Sequence, residues 1–97
     1  MIALDNQKIA DFCKNNNIVF LGLFGSAARE ELHAGSDIDL LIRYGQPVGL
    51  FEHSRVAIEL ESLFGRQVDL VTERALNKYI KAHVYRDLKP LYGQRSS

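Results

Sequence analysis

The sequence predicts an α+β domain in which a small mixed β-sheet is flanked by helices. Three apolar segments with the length of β-strands alternate with segments of helical periodicity, in the order α-β-α-β-α-β-α. The chain has 97 residues, the size of one domain, so we expect a single domain over residues 1–97. The first apolar segment, residues 18–24, does not alternate with polar residues, which is typical of a central strand covered on both faces.

The composition excludes several classes of protein. Hydrophobic residues make up 46% of the chain and charged residues 25%, as in an ordinary globular protein. The formal net charge is zero, so we expect no direct binding to nucleic acid or to a membrane surface. The single cysteine cannot form an internal disulfide, which suits a reducing compartment, and the N-terminus does not resemble a signal peptide. We therefore expect a cytoplasmic protein.

The charges are unevenly distributed along the chain. Residues 1–65 contain five basic and nine acidic residues, whereas residues 66–97 contain seven basic and three acidic residues. This division suits an acidic metal site together with a basic region that meets phosphate or an acidic partner. A solvated basic helix face explains the basic region more simply.

Two helices are predicted in the first third of the chain. The first helix is predicted over about residues 4–16, where apolar side chains recur at helical spacing and Asp5 is a suitable N-cap. After the first strand, Ser26 is expected to cap a short helix that continues to about Ala34 and ends at Gly35.

Two further strands and two further helices complete the predicted domain. The second strand is predicted over residues 37–44 and the third strand over residues 67–71. Between them, the longest helix is predicted over about residues 50–64. A last helix, about 73–88, is expected to begin after Thr72 and to end before a proline. The core-facing residues of these helices are expected to be Val56, Leu60, Leu63 and Phe64 in the longer one, and Leu76, Tyr79, Ile80, His83 and Val84 in the last.

The end of the first strand and the start of the second carry the residues with the clearest chemistry. Gly25 allows close approach of a ligand to the backbone, and Ser26 adds a hydroxyl and an N–H group where a helix begins. Arg29 lies one turn later and can add a cation to the same phosphate. Taken alone, a Gly-Ser pair before a helix is more often only a turn and a cap.

Two carboxylates share one face of the second strand. Asp37 and Asp39 alternate with the apolar Ile38 and Leu40, so their backbone positions lie roughly 6.5–7 Å apart on the same face. Such a pair suits two divalent cations about 3.5–4 Å apart, and its oxygen ligands suit Mg²⁺. An isolated pair of this kind is usually a polar strand edge with salt bridges.

The position of Asp69 strengthens the metal hypothesis. This residue lies inside the apolar third strand, so we expect it to be buried, where an unpaired carboxylate would cost several kcal/mol. It therefore needs a partner, which is either a metal shared with the first two aspartates or an arginine such as Arg66 or Arg43. In the first case it could also accept the proton of an attacking hydroxyl.

A shared site also constrains the sheet. In a parallel crossover, the end of the first strand would lie roughly 17–20 Å from the start of the second. If Gly25 and Asp37 contribute to one site, these two strands must therefore run antiparallel. This requirement predicts a mixed sheet and argues against a Rossmann-like one.

Other enzymes that use an Asp-x-Asp pair fit the sequence less well. Haloacid-dehalogenase phosphatases need threonine two residues after the pair, where this chain has Leu41. Response regulators carry their acidic pair after the first strand, where this chain has Gly25 and Ser26. Sugar-nucleotide transferases are usually larger than 97 residues.

The combined pattern resembles a known family. Gly25-Ser26, then Ser36-Asp37-Ile38-Asp39-Leu40, then Val68-Asp69-Leu70 is similar to the signature of DNA-polymerase-beta-type nucleotidyltransferases. The short chain and the run from Gly25 to Arg29 resemble the minimal (MNT) branch, and the similarity extends from about Ile18 to Leu76.

The resemblance implies the nucleotidyltransferase fold and Mg²⁺-dependent nucleotidyl transfer from ATP. It implies that Asp37 and Asp39 bind two Mg²⁺ ions and that Asp69 completes the catalytic metal site. Gly25 and Ser26 would hold the β- and γ-phosphates.

The predicted nucleotide-binding site also includes Arg29 and Ser36, in addition to Gly25 and Ser26. The family often has glycine after the arginine, whereas this chain has Glu30, a departure that bears on the role of Arg29.

The resemblance also implies a partner. Minimal members are commonly antitoxins of toxin–antitoxin systems that pair with a HEPN-type RNase toxin, and some AMPylate a tyrosine on it. We therefore expect an oligomer, which is either a hetero-oligomer with the toxin or a homo-oligomer.

Three functions remain open at this stage. The first is AMP transfer from ATP to a partner hydroxyl by in-line attack at the α-phosphate. The second is an antitoxin that acts by binding only, with a vestigial nucleotide site. The third is a small-molecule nucleotidyltransferase, which usually needs an acceptor-binding domain.

Overall fold

The computed structural model describes residues 5–29, 31 and 37–94. In chain order, its elements are α1 (Asn6–Asn15), β1 (Ile18–Phe24), α2 (Gly25–Ala28), β2 (Ile38–Tyr44), α3 (Leu50–Phe64), β3 (Val68–Thr72), a 3₁₀ turn (Glu73–Ala75), α4 (Lys78–Asp87) and β4 (Lys89–Tyr92). Within the described residues, none of the helices has the length and apolar character needed to cross a bilayer.

The four strands form one mixed sheet in the order β3-β2-β1-β4. Strand β1 is antiparallel to both β2 and β4, whereas β2 and β3 are parallel. The predicted mixed sheet and the antiparallel pairing of the first two strands are therefore confirmed. The pairing brings the last residue of β1, Phe24, opposite Asp39.

Helices cover both faces of the sheet. On one face, α1 and α3 bury the side chains that alternate along β2 with its aspartates, including Ile38 and Leu40. On the other face, α4 contributes Val84, which packs with Leu88 over Leu41 and Phe20. Leu41 is therefore fully buried although it shares a strand face with Asp39.

Helices α1 and α3 form as the sequence predicts. The carboxylate of Asp5 accepts hydrogen bonds from the backbone N–H groups of Gln7 and Lys8, both at 3.1 Å, which caps α1. Helix α3 ends at Gly65, whose φ of 70° is the left-handed conformation of a C-cap glycine. The expectation that Leu63 faces the core is wrong, because its side chain is 36% exposed.

The last helix begins later than predicted. Thr72 belongs to β3, and a 3₁₀ turn follows it, so the helix starts at Lys78. Its N-cap is Asn77, whose side-chain oxygen accepts from the N–H groups of Tyr79 and Ile80 at 3.0 and 2.9 Å. Tyr79 and Ile80, which were predicted to face the core, lie in the first turn of this helix and are exposed.

The sequence analysis missed β4. Residues 89–92 pair antiparallel with β1 and form an edge of the sheet, where a proline is tolerated because an edge strand has a neighbour on one side only. Gly93 follows with a φ of 79°, and a Cβ there would clash with the carbonyl oxygen of Val19. A short strand that contains a proline gives no sequence signal strong enough to distinguish it from a docked tail.

The short helix after β1 begins at Gly25, so its N-cap lies two residues before the predicted one. Its N-cap is Phe24, and no side chain caps it, so the predicted capping role of Ser26 is wrong. Arg29 is the C-cap of the helix. The predicted continuation to Ala34 and the predicted cap Gly35 lie outside the described residues.

The corrected start of α4 yields a stability prediction. The change Asn77→Ala removes the acceptor of two backbone N–H groups, so the free energy of unfolding should fall by about 1 kcal/mol. Urea denaturation followed by circular dichroism measures this loss. The control is Asn15→Ala, which changes an exposed asparagine at the end of α1 and should alter stability by less than about 0.5 kcal/mol. Equal losses in the two variants would contradict the cap assignment.

Candidate functional site

The turn after β1 packs directly against the carboxylate of Asp39. Phe24 pairs with Asp39 across the antiparallel strands, and the next residue, Gly25, has a φ of 68°. A Cβ on Gly25 would clash with the Asp39 side chain, so only glycine fits both the backbone conformation and the space. The structure therefore brings the glycine turn and the second strand together, as the antiparallel argument requires. Ser26 follows in α2 and is half-buried.

The three predicted aspartates lie at neighbouring positions of the sheet. In the parallel register of β2 and β3, Asp39 pairs with Asp69, so their side chains leave the same face of the sheet. Asp37 lies two residues before Asp39, immediately before β2 begins. Asp39 is half-buried, whereas Asp37 and Asp69 are exposed.

The exposure of Asp69 corrects the expectation that it is buried. Strand β3 has five residues and lies at the edge of the sheet, and its apolar residues Val68 and Leu70 are only half-buried. The apolar neighbours in the sequence therefore line one side of an edge strand and do not enclose the carboxylate. Arg43, one of the arginines considered as its partner, instead lies 3.5 Å from Glu73.

The three carboxylates interact electrostatically. Burial raises the pKa of Asp39, and the negative charges of Asp69 and Asp37 raise it further. The positive charge of Arg29 acts in the opposite direction and lowers the pKa of the same carboxyl group. A cation bound beside Asp39 would therefore relieve a repulsion that exists in the folded protein.

The three carboxylates suit a hard divalent cation that also takes water or substrate oxygens as ligands. Among the described residues, no group of three or more His, Cys, Asp or Glu side chains is arranged to hold a metal ion by itself. Carboxylate oxygens are nevertheless the ligands that Mg²⁺ prefers, and Mg²⁺ commonly shares its shell with water and substrate phosphates. The mutual repulsion at Asp39 and the open positions of Asp37 and Asp69 fit such a site.

Arg29 connects the glycine turn to the last helix. Its Nε lies 2.7 Å from a carboxylate oxygen of Glu31, and its Nη1 lies 3.0 Å from Asp87 in the last turn of α4. Hydrogen bonds to these two carboxylates raise the pKa of Arg29, so its cation is retained. The side chain is 45% exposed and remains accessible to an anion beside Asp39.

Sequence reasoning missed Asp87 as a neighbour of this site. Its position in the last turn of α4 is a signal that could have indicated it. A carboxylate there interacts unfavourably with the helix dipole, so a nearby cation is expected to compensate for it. The chain separation of 58 residues gave no indication that the cation is Arg29.

The structure thus brings together most of the predicted site residues. The glycine turn meets Asp39, Asp39 pairs with Asp69, and Asp37 and Arg29 both influence the Asp39 carboxyl group. The predicted nucleotide-binding residue Ser36 lies outside the described residues.

Comparisons with known proteins agree with this geometry. The family model described as "Polymerase beta, Nucleotidyltransferase" matches residues 7–97. MJ1217 of Methanocaldococcus jannaschii, named as a candidate protein adenylyltransferase, is 41% identical over 69 residues, which cover 70% of each chain. Protein adenylyltransferase MntA of Thermococcus cleftensis is 34% identical over 68 residues, covering 70% of this chain and 69% of the relative.

A solved structure shares the fold over nearly the whole chain. The crystal structure of a toxin–antitoxin with AMP-PNP superposes with a TM-score of 0.79 at 26% identity, covering 95% of this chain and 76% of the other. The fold, the adjacent aspartates and the family match agree with the resemblance seen in the sequence. The chain belongs to the polymerase beta-type nucleotidyltransferase family.

Proposed function

We propose that this protein is an antitoxin that transfers AMP from ATP to a tyrosine hydroxyl of a HEPN-type toxin. The observation that carries the proposal is the packing of the Gly25 turn against Asp39, with Asp69 paired beside it on the same face. Two relatives named as adenylyltransferases and the toxin–antitoxin structure with AMP-PNP support the choice of nucleotide and partner.

The three aspartates would hold the metal. Asp37 and Asp39 would bind two Mg²⁺ ions, and Asp69 would complete the site. When bound, the ions supply charge stabilisation to the attacking and leaving oxygens of an in-line displacement at the α-phosphate.

The remaining residues would position the nucleotide. Gly25 lets the backbone approach the β- and γ-phosphates, and Ser26 offers its N–H and hydroxyl beside them. Arg29 presents a cation next to the carboxylates, held in orientation by Asp87. Ser36, which precedes the aspartate pair, is proposed as a further nucleotide ligand.

The exposure of Asp69 favours an acceptor on another molecule. Its carboxylate lies on the edge strand and is open to solvent, so a hydroxyl of a partner protein can reach it without entering the core. Asp69 would accept the proton of that hydroxyl as the bond to the α-phosphate forms, and pyrophosphate would leave.

A second candidate function is neutralisation by binding alone. The first turn of α3 exposes two large apolar side chains, Leu50 at 79% and Phe51 at 93%. Exposed apolar residues of this kind often mark a surface that contacts another protein. Binding alone would not require the carboxylates, and this difference separates the two functions.

The test uses the product of the neighbouring gene, which this proposal expects to be a HEPN-type protein. Incubation of the pair with ATP and Mg²⁺ should add the mass of one or more AMP units to the partner, measured by mass spectrometry of the intact protein. The double change Asp37→Asn with Asp39→Asn should reduce this transfer at least about a hundredfold, because metal-borne charge stabilisation is worth several kcal/mol. Neutralisation without any mass gain, and unchanged in the double variant, would show that binding alone is the function.

Two glycines with matched backbone conformations test the contact at Asp39. Gly25 and Gly65 have φ values of 68° and 70°, so alanine costs about 1–2 kcal/mol of backbone strain at either position. Only Gly25→Ala also pushes a Cβ into the Asp39 carboxylate, whereas the space around Gly65 is open. We expect AMP transfer to be lost in Gly25→Ala and retained in Gly65→Ala at temperatures where both remain folded. Equal activity in the two variants would exclude a role for the contact.

The repulsion at Asp39 yields a prediction of stability. A raised pKa means that the folded protein binds this proton more tightly than the unfolded chain, so the free energy of unfolding falls as pH rises through that pKa. Removal of the charge by Asp39→Asn should therefore raise the Tm at pH 7, by about 2–4 °C for a gain of about 0.5 kcal/mol.

Metal addition provides the complementary measurement. Mg²⁺ should raise the Tm of the unaltered protein and have little effect on Asp39→Asn, because ligands that bind only the folded state stabilise it. The control Asp11→Asn, an exposed position on α1, should respond to Mg²⁺ like the unaltered protein. A lower Tm for Asp39→Asn at pH 7 without metal would contradict the repulsion.

A further inference from the structure

A cavity of about 650 Å³ lies at the opposite end of β2 from the aspartates. This volume is within the range of about 300–1,000 Å³ that is typical of small-molecule sites. The cavity lies among the C-terminal ends of β2 and β3, the loop of residues 45–49 and the first turn of α3. Its lining includes apolar side chains of this loop and of α3, and it also includes charged groups from β2, the 3₁₀ turn and α4.

The cavity is separate from the candidate active site. Ile42, the β2 lining residue nearest to the aspartates in sequence, lies three residues beyond Asp39, which corresponds to about 10 Å along the strand. Between them, Leu41 is fully buried beneath Val84 and Leu88. A molecule in the cavity therefore does not share its space with a phosphate held beside the aspartates.

Positive charge predominates among the charged residues that line the cavity. Arg43, Arg74 and Lys81 line it, and Glu73 is the carboxylate among its lining residues. Arg43 and Lys81 approach Glu73 only at 3.5 and 3.7 Å, so one carboxylate is shared between two cations. Arg74 forms no ion pair with another residue in the part of the chain that the structure describes. The basic C-terminal third of the sequence thus contributes two of these three cations.

A hydrogen-bonded pair of side chains, Tyr44 and His53, also lines the cavity. His53 lies 3.0 Å from the hydroxyl of Tyr44 through Nδ1 and 3.0 Å from the carbonyl oxygen of Leu70 through Nε2. A carbonyl can only accept, so Nε2 carries a proton and donates it to the carbonyl oxygen of Leu70. Burial raises the pKa of Tyr44 to about 12, which keeps this hydroxyl protonated. Beside this pair, Val48 and Leu50 present apolar surface.

We propose that this cavity binds a small organic phosphate of the nucleoside monophosphate class, as a second site on the protein. The surplus of two positive charges matches a phosphate monoester, which carries about −1.5 to −2 charges near neutral pH. The apolar side chains of Val48 and Leu50 and the hydrogen-bonded Tyr44–His53 pair also line the cavity, and they match the body of the ligand rather than its phosphate. The proposal does not depend on adenylyl transfer at the aspartates.

The test is a titration of the full chain with AMP, followed by ¹⁵N–¹H correlation spectra. EDTA is present throughout, so that metal-dependent binding at the aspartates does not contribute. Saturable shifts should appear at the amides of Gly45 and Gly49, which line the cavity, and not at those of Gly25 and Asp39. Shifts confined to the aspartate end, or no saturable shift, would overturn the proposal.

A charge-matched pair of variants identifies the cations. The double change Arg74→Gln with Lys81→Gln should weaken AMP binding by about tenfold or more. The change removes charge-assisted hydrogen bonds to the phosphate, which are stronger than hydrogen bonds between neutral groups. Both residues are at least partly exposed, and the same spectra show whether the fold is retained. The control is Lys8→Gln with Lys14→Gln, which removes two charges from the exposed face of α1. Equal weakening in the two doubles would show that only overall charge matters and would overturn the site.

Two further ligands define the chemistry. Adenosine should bind at least about tenfold more weakly than AMP if the cations hold a phosphate. Inorganic phosphate should also bind more weakly than AMP if the apolar wall contributes. Adenosine binding as tightly as AMP, or phosphate alone binding as tightly as AMP, would overturn the assignment to a nucleoside monophosphate.

Discussion

The antiparallel pairing of β1 with β2 is the constraint on which the rest of the structure depends. It places Phe24 opposite Asp39, so the glycine turn that ends one strand meets the carboxylates that begin the next. Gly25 then occupies a left-handed conformation in which any side chain would strike Asp39. Because β2 also pairs in parallel with β3, the same strand brings Asp69 to the site from the other side. A single strand, β2, thus joins the glycine turn to the third carboxylate.

This arrangement concentrates negative charge that the residues described by the structure do not fully neutralise. Asp39 is half-buried between two other aspartates, and the nearest influential cation, Arg29, is already paired with Glu31 and Asp87. The extensive apolar packing on both faces of the sheet compensates for this local cost. The apolar core that offsets this cost is remote from the aspartates, so the site keeps a set of carboxylates that suits a divalent cation.

Much of the fold could be predicted because the relevant signals are local. The apolar run of β1, the cap at Asp5 and the glycine after α3 each depend on a few adjacent residues. Requiring Gly25 and the aspartates to meet also gave the strand direction correctly. The burial of Asp69 was predicted wrongly, because apolar neighbours in the sequence do not distinguish an edge strand from a central one. The start of α4 and the pairing of Arg29 with Asp87 depend on tertiary contacts between distant parts of the chain.

The position of β4 has a consequence for how the chain folds. Strand β1 needs neighbours on both edges, and the second neighbour is formed by residues 89–92, about seventy positions later in the sequence. Contacts of such long range are slow to form because a large loop must close before they contribute. During synthesis, the central strand therefore keeps one edge unpaired until nearly all of the described chain has left the ribosome. Until β4 pairs with it, that edge must be protected from aggregation by other molecules that bind the nascent chain.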